Sequence, residues 1–158
     1  MGALTFLEAD HALSIMALAA AVEAGSRDEI PVGAVLTDCW GRVLSQAGNS
    51  SIGSHDPVGH AEIIVLRKAG CRVDNYRLSG TRLIVSLQPC PLCFQAVKIA
   101  RVSKVLFVSG QTGVSDAAHN GLSVEHLGKQ LKKNPIFSPI MQASSEFLRF
   151  FFARRRGI

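Results

Sequence analysis

Two hydrophobic rhythms alternate along this chain. Over residues 6–24 apolar side chains recur with helical spacing, and Gly25 ends the run. Residues 30–37 and 41–47 carry the β-branched pattern of strands, and the Asp38-Cys39-Trp40-Gly41 link between them predicts a hairpin. Residues 49–59 are rich in Gly, Ser, Asn, Asp and Pro and read as a loop. Residues 61–69 return to helical spacing, with His60 and Glu62 in the first turn. After a loop through Asn75-Tyr76-Arg77-Leu78, residues 82–87 form a third strand that Pro89 ends. Pro91 opens another helix, because a first-turn residue needs no N–H. Residues 104–108 make a fourth strand, and this strand–helix–strand order predicts parallel pairing. Beyond a polar loop over 111–121, the pattern predicts a helix over 123–133. A short edge strand follows over 136–141, weakened by Pro139. A last helix covers 144–156, capped by Ser144 or Ser145.

Composition narrows the class. A chain of 158 residues with 47% hydrophobic content is too apolar for disorder and long enough for one well-packed domain spanning 1–158. No internal repeat, low-complexity segment or linker divides it. The apolar stretch 12–22 follows Glu8 and Asp10 with no Lys or Arg before it, unlike a secretory leader, and it is too short to span a bilayer. Four cysteines without a disulfide-framework spacing point to a reducing cytoplasm. The net charge of +5 is unevenly placed: residues 1–97 hold seven basic and nine acidic side chains, residues 98–158 ten and three. A basic C-terminal third ending in Arg154, Arg155 and Arg156 suits a polyanion such as RNA. It equally suits a solvated helix whose cations complement its C-terminal dipole.

The chemistry concentrates in His60-Ala61-Glu62 and Pro89-Cys90-Pro91-Leu92-Cys93. One imidazole and two thiols are ligands zinc prefers, and three protein ligands leave a fourth tetrahedral position for water. Glu62 remains as an acid/base group beside a metal able to lower the pKa of that water. Cys90 and Cys93 fall at a helix N-terminus, where backbone N–H groups favour thiolate. Alone, Cys-x-x-Cys also describes a redox pair, a structural half-site or two buried thiols. Joined to His-x-Glu in this order, with a strand feeding the cysteines, it describes a catalytic zinc site.

These motifs resemble the cytidine-deaminase-like superfamily, and within it the bacterial tRNA adenosine deaminases. The likeness extends over nearly the whole length: Pro31-Val32-Gly33-Ala34-Val35, Asn49, His55-Asp56-Pro57, Asn75-Tyr76-Arg77-Leu78 and the aromatic and basic run from Phe150 to Arg156. It implies a three-layer α/β/α fold with a mixed five-stranded sheet, working as a homodimer. It implies that His60, Cys90 and Cys93 hold one zinc ion per chain. The activated water would attack C6 of adenine in a tRNA anticodon loop at the wobble position. Glu62 would carry the proton to N1 and assist the departure of ammonia. Ala61 would offer its backbone N–H to the base, Asn49 its side-chain amide, and Val32 a packing surface. Asn49 also reads as a plain turn residue, and Val32 as plain core. His55 reads as a loop-ordering residue, His119 and His126 as surface residues. Phe147, Phe150 and Phe151 read as core at helical spacing, one exposed ring stacking on RNA being the other reading.

Three departures from that family fall on substrate-reading surfaces. Gln88 stands where a Glu usually precedes Pro-Cys, and Ser50 and Ser54 occupy positions where the tRNA branch often carries Arg. The Ser109-Gly110-Gln111-Thr112-Gly113 stretch lacks the usual Ala-Arg-Asp run, with Asp116 displaced. A deaminase of a free nucleobase or nucleoside, such as guanine, cytosine or a cytidine-like compound, is the competing enzyme. A non-catalytic RNA-binding subunit would have no use for Glu62. A structural zinc domain would need a fourth protein ligand.

Overall fold

Strands buried on both faces need a helical layer on each side. The computed structural model describes residues 6–110, 122–127 and 137–156, with backbone alone at positions 6, 7, 137, 140, 144 and 156. Its elements are α1 (Phe6–Ser26), β1 (Gly33–Thr37), β2 (Val43–Gly48), α2 (Ala61–Val73), β3 (Arg82–Leu87), α3 (Pro91–Ile99), β4 (Lys104–Ser109), β5 (Ser123–His126) and α4 (Phe137–Arg156). The strands form one five-stranded sheet in the order β2-β1-β3-β4-β5. β1 runs antiparallel to β2 and β3, whereas β3, β4 and β5 are parallel. The sheet is therefore mixed, and the parallel pair around the cysteines is the one expected.

Alternation along the strands builds two cores. Val35, Ile84, Leu106 and Val108 share one core with Leu13, Ala17 and Leu18 of α1 and Met141 of α4. Ala34, Leu36, Leu83, Val85 and Val105 face the opposite side and meet Ala61, Val65 and Ala69 of α2 and Val97 of α3. Each fully buried Val, Leu or Ile contributes about 1.5–3 kcal/mol relative to exposure. α1 approaches the sheet unusually closely because alanines meet glycines. A Cβ added at Gly33 would collide with the backbone of Ala17 and Ala21, and one at Gly48 would lie 2.6 Å from Ala20 O. The hairpin forms at Asp38, whose Oδ1 accepts from Trp40 N and Arg42 N at 2.9 Å each.

The C-terminal third differs from its sequence pattern. Residues 123–126 form β5 rather than the start of a helix, and 128–133 lie outside the described residues. The parallel edge of β4 offers unpaired backbone groups, Val124 packs into the α2/α3 core, and Lys104 Nζ pairs with Glu125 at 2.7 Å across the two strands. The expected edge strand over 136–141 is instead the first turn of α4, with residue 136 outside the description. Pro139 fits there because the first N–H groups of a helix have no intrahelical partner. Positions 144 and 145 consequently lie inside α4 rather than at its N-cap. The polar loop over 111–121, with His119 and Asp116, falls outside the described residues.

Candidate active site

Two helix starts converge at the C-terminal end of β3. His60 is the N-cap of α2, with extended backbone (φ −74°, ψ 148°), and Cys90 is the N-cap of α3 (φ −72°, ψ 167°) with Pro91 at the first helical position. Cys93 follows one turn later and is fully buried. Cys90 Sγ lies 3.6 Å from Cys93 Sγ and 3.6 Å from His60 Nδ1, and Cys93 Sγ lies 3.3 Å from His60 Nδ1. Tetrahedral zinc, with Zn–S near 2.3 Å and Zn–N near 2.0–2.1 Å, sets ligand-to-ligand edges of about 3.5–3.8 Å. The donor triangle fits such an ion, and it is a His/Cys/Cys group able to hold a metal.

Electrostatics agree with that fit. Burial pushes the Cys93 thiol well above its ordinary range, and the nearby Glu62 carboxylate and Cys90 push it further. A divalent cation reverses the balance, because a coordinating thiol binds as thiolate and releases its proton to solvent. Glu62 is itself 4% exposed, and burial raises its carboxyl above the usual range. It lies beside Cys93 but outside the donor triangle, which leaves it available for proton transfer.

The loop between β2 and α2 walls this centre. Asn49 N continues the β1 pairing by donating to Val32 O at 3.0 Å, and Ser50 N donates to Gly59 O at 2.9 Å, closing the loop at its base. Asn49 is buried, and its Oδ1 accepts from Ala61 N at 2.8 Å. The Ala61 N–H expected to serve a substrate base is therefore occupied, and the Asn49 amide nitrogen is what remains to donate. Val32 is buried in the same core cluster as Ala61, matching the plain-core reading. His55 is exposed in the loop with φ +51° and is not a ligand. His126 is no free surface residue: its ring stacks on Phe107 at 4.7 Å.

The basic C-terminus is tied down elsewhere. Arg155 donates to Asp28 O at 3.0 Å and lies 5.0 Å over the Phe151 ring, and Arg154 approaches Asp28 Oδ1 at 3.6 Å. The Arg156 side chain lies outside the described residues. Phe151 is buried, whereas Phe150 is 64% exposed. One buried contact to this loop has no sequence signal. Glu29, buried at the end of α1, accepts from Ile52 N at 3.0 Å and Gly53 N at 2.6 Å in the loop. Its partners lie more than twenty residues away and are backbone groups, which leave no pattern of side chains to read.

The model of the cytidine and deoxycytidylate deaminase zinc-binding region matches residues 7–109, enclosing the whole donor set. The chain belongs to this deaminase family. Within the family it is similar to a tRNA-specific adenosine deaminase of Agrobacterium fabrum, 35% identical over 89% of this chain and 92% of that protein. A solved structure from work on A-to-I editing by tRNA:A34 deaminases covers 73% of this chain and 97% of its own, with TM-score 0.67 and 32% identity. A guanine deaminase of Bacillus subtilis superposes over 70% of this chain and 71% of its own, with TM-score 0.61 and 29% identity. The three-layer deaminase fold is thus shared between tRNA-directed and free-base relatives. The donor triangle of His60, Cys90 and Cys93 lies within the matched zinc-binding region.

Proposed function

We propose that the protein is a zinc-dependent hydrolytic deaminase converting adenosine to inosine at the wobble position of a tRNA anticodon. The observation that carries this reading is the three-ligand triangle with a buried carboxylate beside it and outside it. Zinc, one ion per chain, would be held by His60 Nδ1, Cys90 Sγ and Cys93 Sγ and would supply Lewis acidity to a water. Glu62 would accept one proton of that water and deliver it to N1 of the purine, then carry the remaining proton of the new C6 hydroxyl to the amino group, so that the C6–N bond breaks and ammonia leaves. Its burial favours this shuttle, because a raised carboxyl holds and releases a proton nearer neutral pH. Asn49, fixed through its oxygen on Ala61, would present its amide nitrogen to a ring acceptor. The donor set accounts for a catalytic metal better than a structural one, since no fourth protein ligand joins it among the described residues.

The choice of tRNA rests on the tRNA-specific adenosine deaminase relatives and on the basic end of α4, where exposed Phe150 neighbours Arg154. An exposed ring among cations suits a looped single strand, whose unstacked bases are also cheapest to insert into a pocket. Such a substrate puts the work in the cytoplasm; no described helix is long and apolar enough to cross a membrane. The free-base reading is favoured by the guanine deaminase likeness and by Ser50 and Ser54, which bond each other at 2.6 Å rather than offering cations to phosphate. Incubation with an anticodon stem-loop and, separately, with guanine and cytosine divides the two. Ammonia from the stem-loop alone is expected; ammonia from the free bases alone overturns the tRNA reading. Chelation should abolish release and added zinc restore it.

The same reading includes a homodimer. An open apolar groove of about 750 Å³ runs between α2 and α3, lined by Leu66, Leu78 and Ala96, with Ile99 and Tyr76 on its rim 74% and 70% exposed. An apolar face of this kind on a small domain is characteristic of a subunit contact. A second copy of the chain would cover it.

A further inference from the structure

We infer that Glu29 is a positioning residue that clamps the loop running from Asn49 into the metal ligand His60. Glu29 is 3% exposed, and its carboxylate spans two consecutive amides, with Oε2 accepting from Ile52 N at 3.0 Å and Oε1 from Gly53 N at 2.6 Å. The location is otherwise a poor one for an anion. Glu29 follows the C-terminus of α1, where the helix dipole is negative, and its own N–H donates back to Ala24 O at 3.1 Å. Among the described residues the carboxylate has no ion-pair partner. A buried anion beside a helix C-terminus does nothing for α1, so the two loop amides are what its placement serves. Gly53 permits the approach, because a Cβ there would lie 3.1 Å from Glu29 Oε1.

The clamp joins three parts of the molecule. The loop it holds begins at Asn49 and ends at His60, so both the base-orienting amide and one metal ligand are flanked by the clamped segment. On the other side, the adjacent Asp28 is gripped by Arg154 and Arg155 of α4. The junction of residues 28 and 29 therefore ties the C-terminal helix to the substrate loop without touching the metal donors. Loss of the carboxylate releases the loop wall while leaving His60, Cys90, Cys93 and Glu62 on their helices. The kinetic part of this inference rests on the deaminase reading above; the structural part does not.

Residue-resolved amide exchange on the full chain tests the clamp directly. In the wild type, the Ile52 and Gly53 amides should exchange at least about a hundredfold slower than free amides, although Gly53 lies in an exposed loop. Fast exchange at both overturns the inference, whatever any variant does. In Glu29→Gln the single remaining carbonyl should keep one of the two amides protected, and in Glu29→Ala neither should be. A purely structural role would instead loosen β1 and β2 along with the loop. With zinc content unchanged, Glu29→Gln should raise KM for an anticodon stem-loop about tenfold and change kcat less than about threefold. Unprotected amides with unaltered KM overturn the positioning role. A wild type inactive on the stem-loop strikes the tRNA reading and leaves the clamp to be decided by exchange alone.

Discussion

On the proposed reading, Asn49 has two jobs divided between two atoms. Its oxygen satisfies the Ala61 N–H at the start of α2, a donor that would otherwise be buried unpaired. Its nitrogen is left to orient a substrate. Asn49→Ala should cost about 1–3 kcal/mol in denaturant unfolding by orphaning that donor. Asn49→Asp keeps the acceptor but loses the amide hydrogens, so stability should hold while kcat/KM falls at least about tenfold. Full turnover in Asn49→Asp would remove Asn49 from substrate binding. Glu62→Gln preserves shape without a proton acceptor. Metal analysis should find zinc retained, and turnover should fall by about 10²–10⁴-fold, the usual contribution of a positioned acid/base group. At this scale the sequence was legible wherever chemistry restricts residue type. Zinc accepts few side chains, so His60, Cys90 and Cys93 announce themselves, and Glu62 follows from being the carboxylate left over. Glu29 stayed invisible because any buried acceptor can bind a backbone amide. The bond from Ala61 N to Asn49 was equally illegible, because an N–H carries no side-chain signal of its partner.

Among elements, legibility followed the strength of the period. β1, β3 and β4 are buried on both faces and appear in the sequence as β-branched runs that admit one interpretation. β5 is four residues long, Ser-Val-Glu-His, and its strand character comes from the open edge of β4 rather than from its own composition. Pro139 misled in the other direction, since a proline marks a weakened strand and a helix start equally well. α1 shows a third case, where side-chain size rather than polarity defines the buried face. Asp10, His11 and Ser14 are buried with the alanines, whereas Ile15 and Val22 are exposed. The close contact of those alanines with Gly33 makes that glycine critical. Gly33→Ala forces a methyl into the backbone of α1 and should destabilise the protein by about 1–3 kcal/mol, read as a lowered denaturation midpoint at unchanged slope. An unchanged midpoint would mean that α1 can slide away at no cost.

For the molecule as a whole, a mixed sheet between two helical layers brings the N-termini of α2 and α3 to one end of the parallel strands, and there the metal donors meet. The apolar groove lies on the same two helices, and the proposed dimer would use it. Ile99→Asp, at an exposed position on that groove, should shift the protein from dimer to monomer in sedimentation analysis without loss of helical signal. A wild type that sediments as a monomer at all concentrations would contradict a second copy on this face. The uneven charge is the other whole-molecule feature, and it found structural expression only in part. Two of the three terminal arginines pair with Asp28 within the chain, so their presence did not by itself define an RNA surface.

The most direct test of the central claim is the base change itself. Zinc-loaded protein should be incubated with a tRNA whose anticodon begins with adenosine, and the product RNA sequenced. Conversion of that one adenosine to inosine, abolished by Glu62→Gln, is the result expected. An unchanged wobble adenosine, with ammonia released from free guanine by the same preparation, would contradict it.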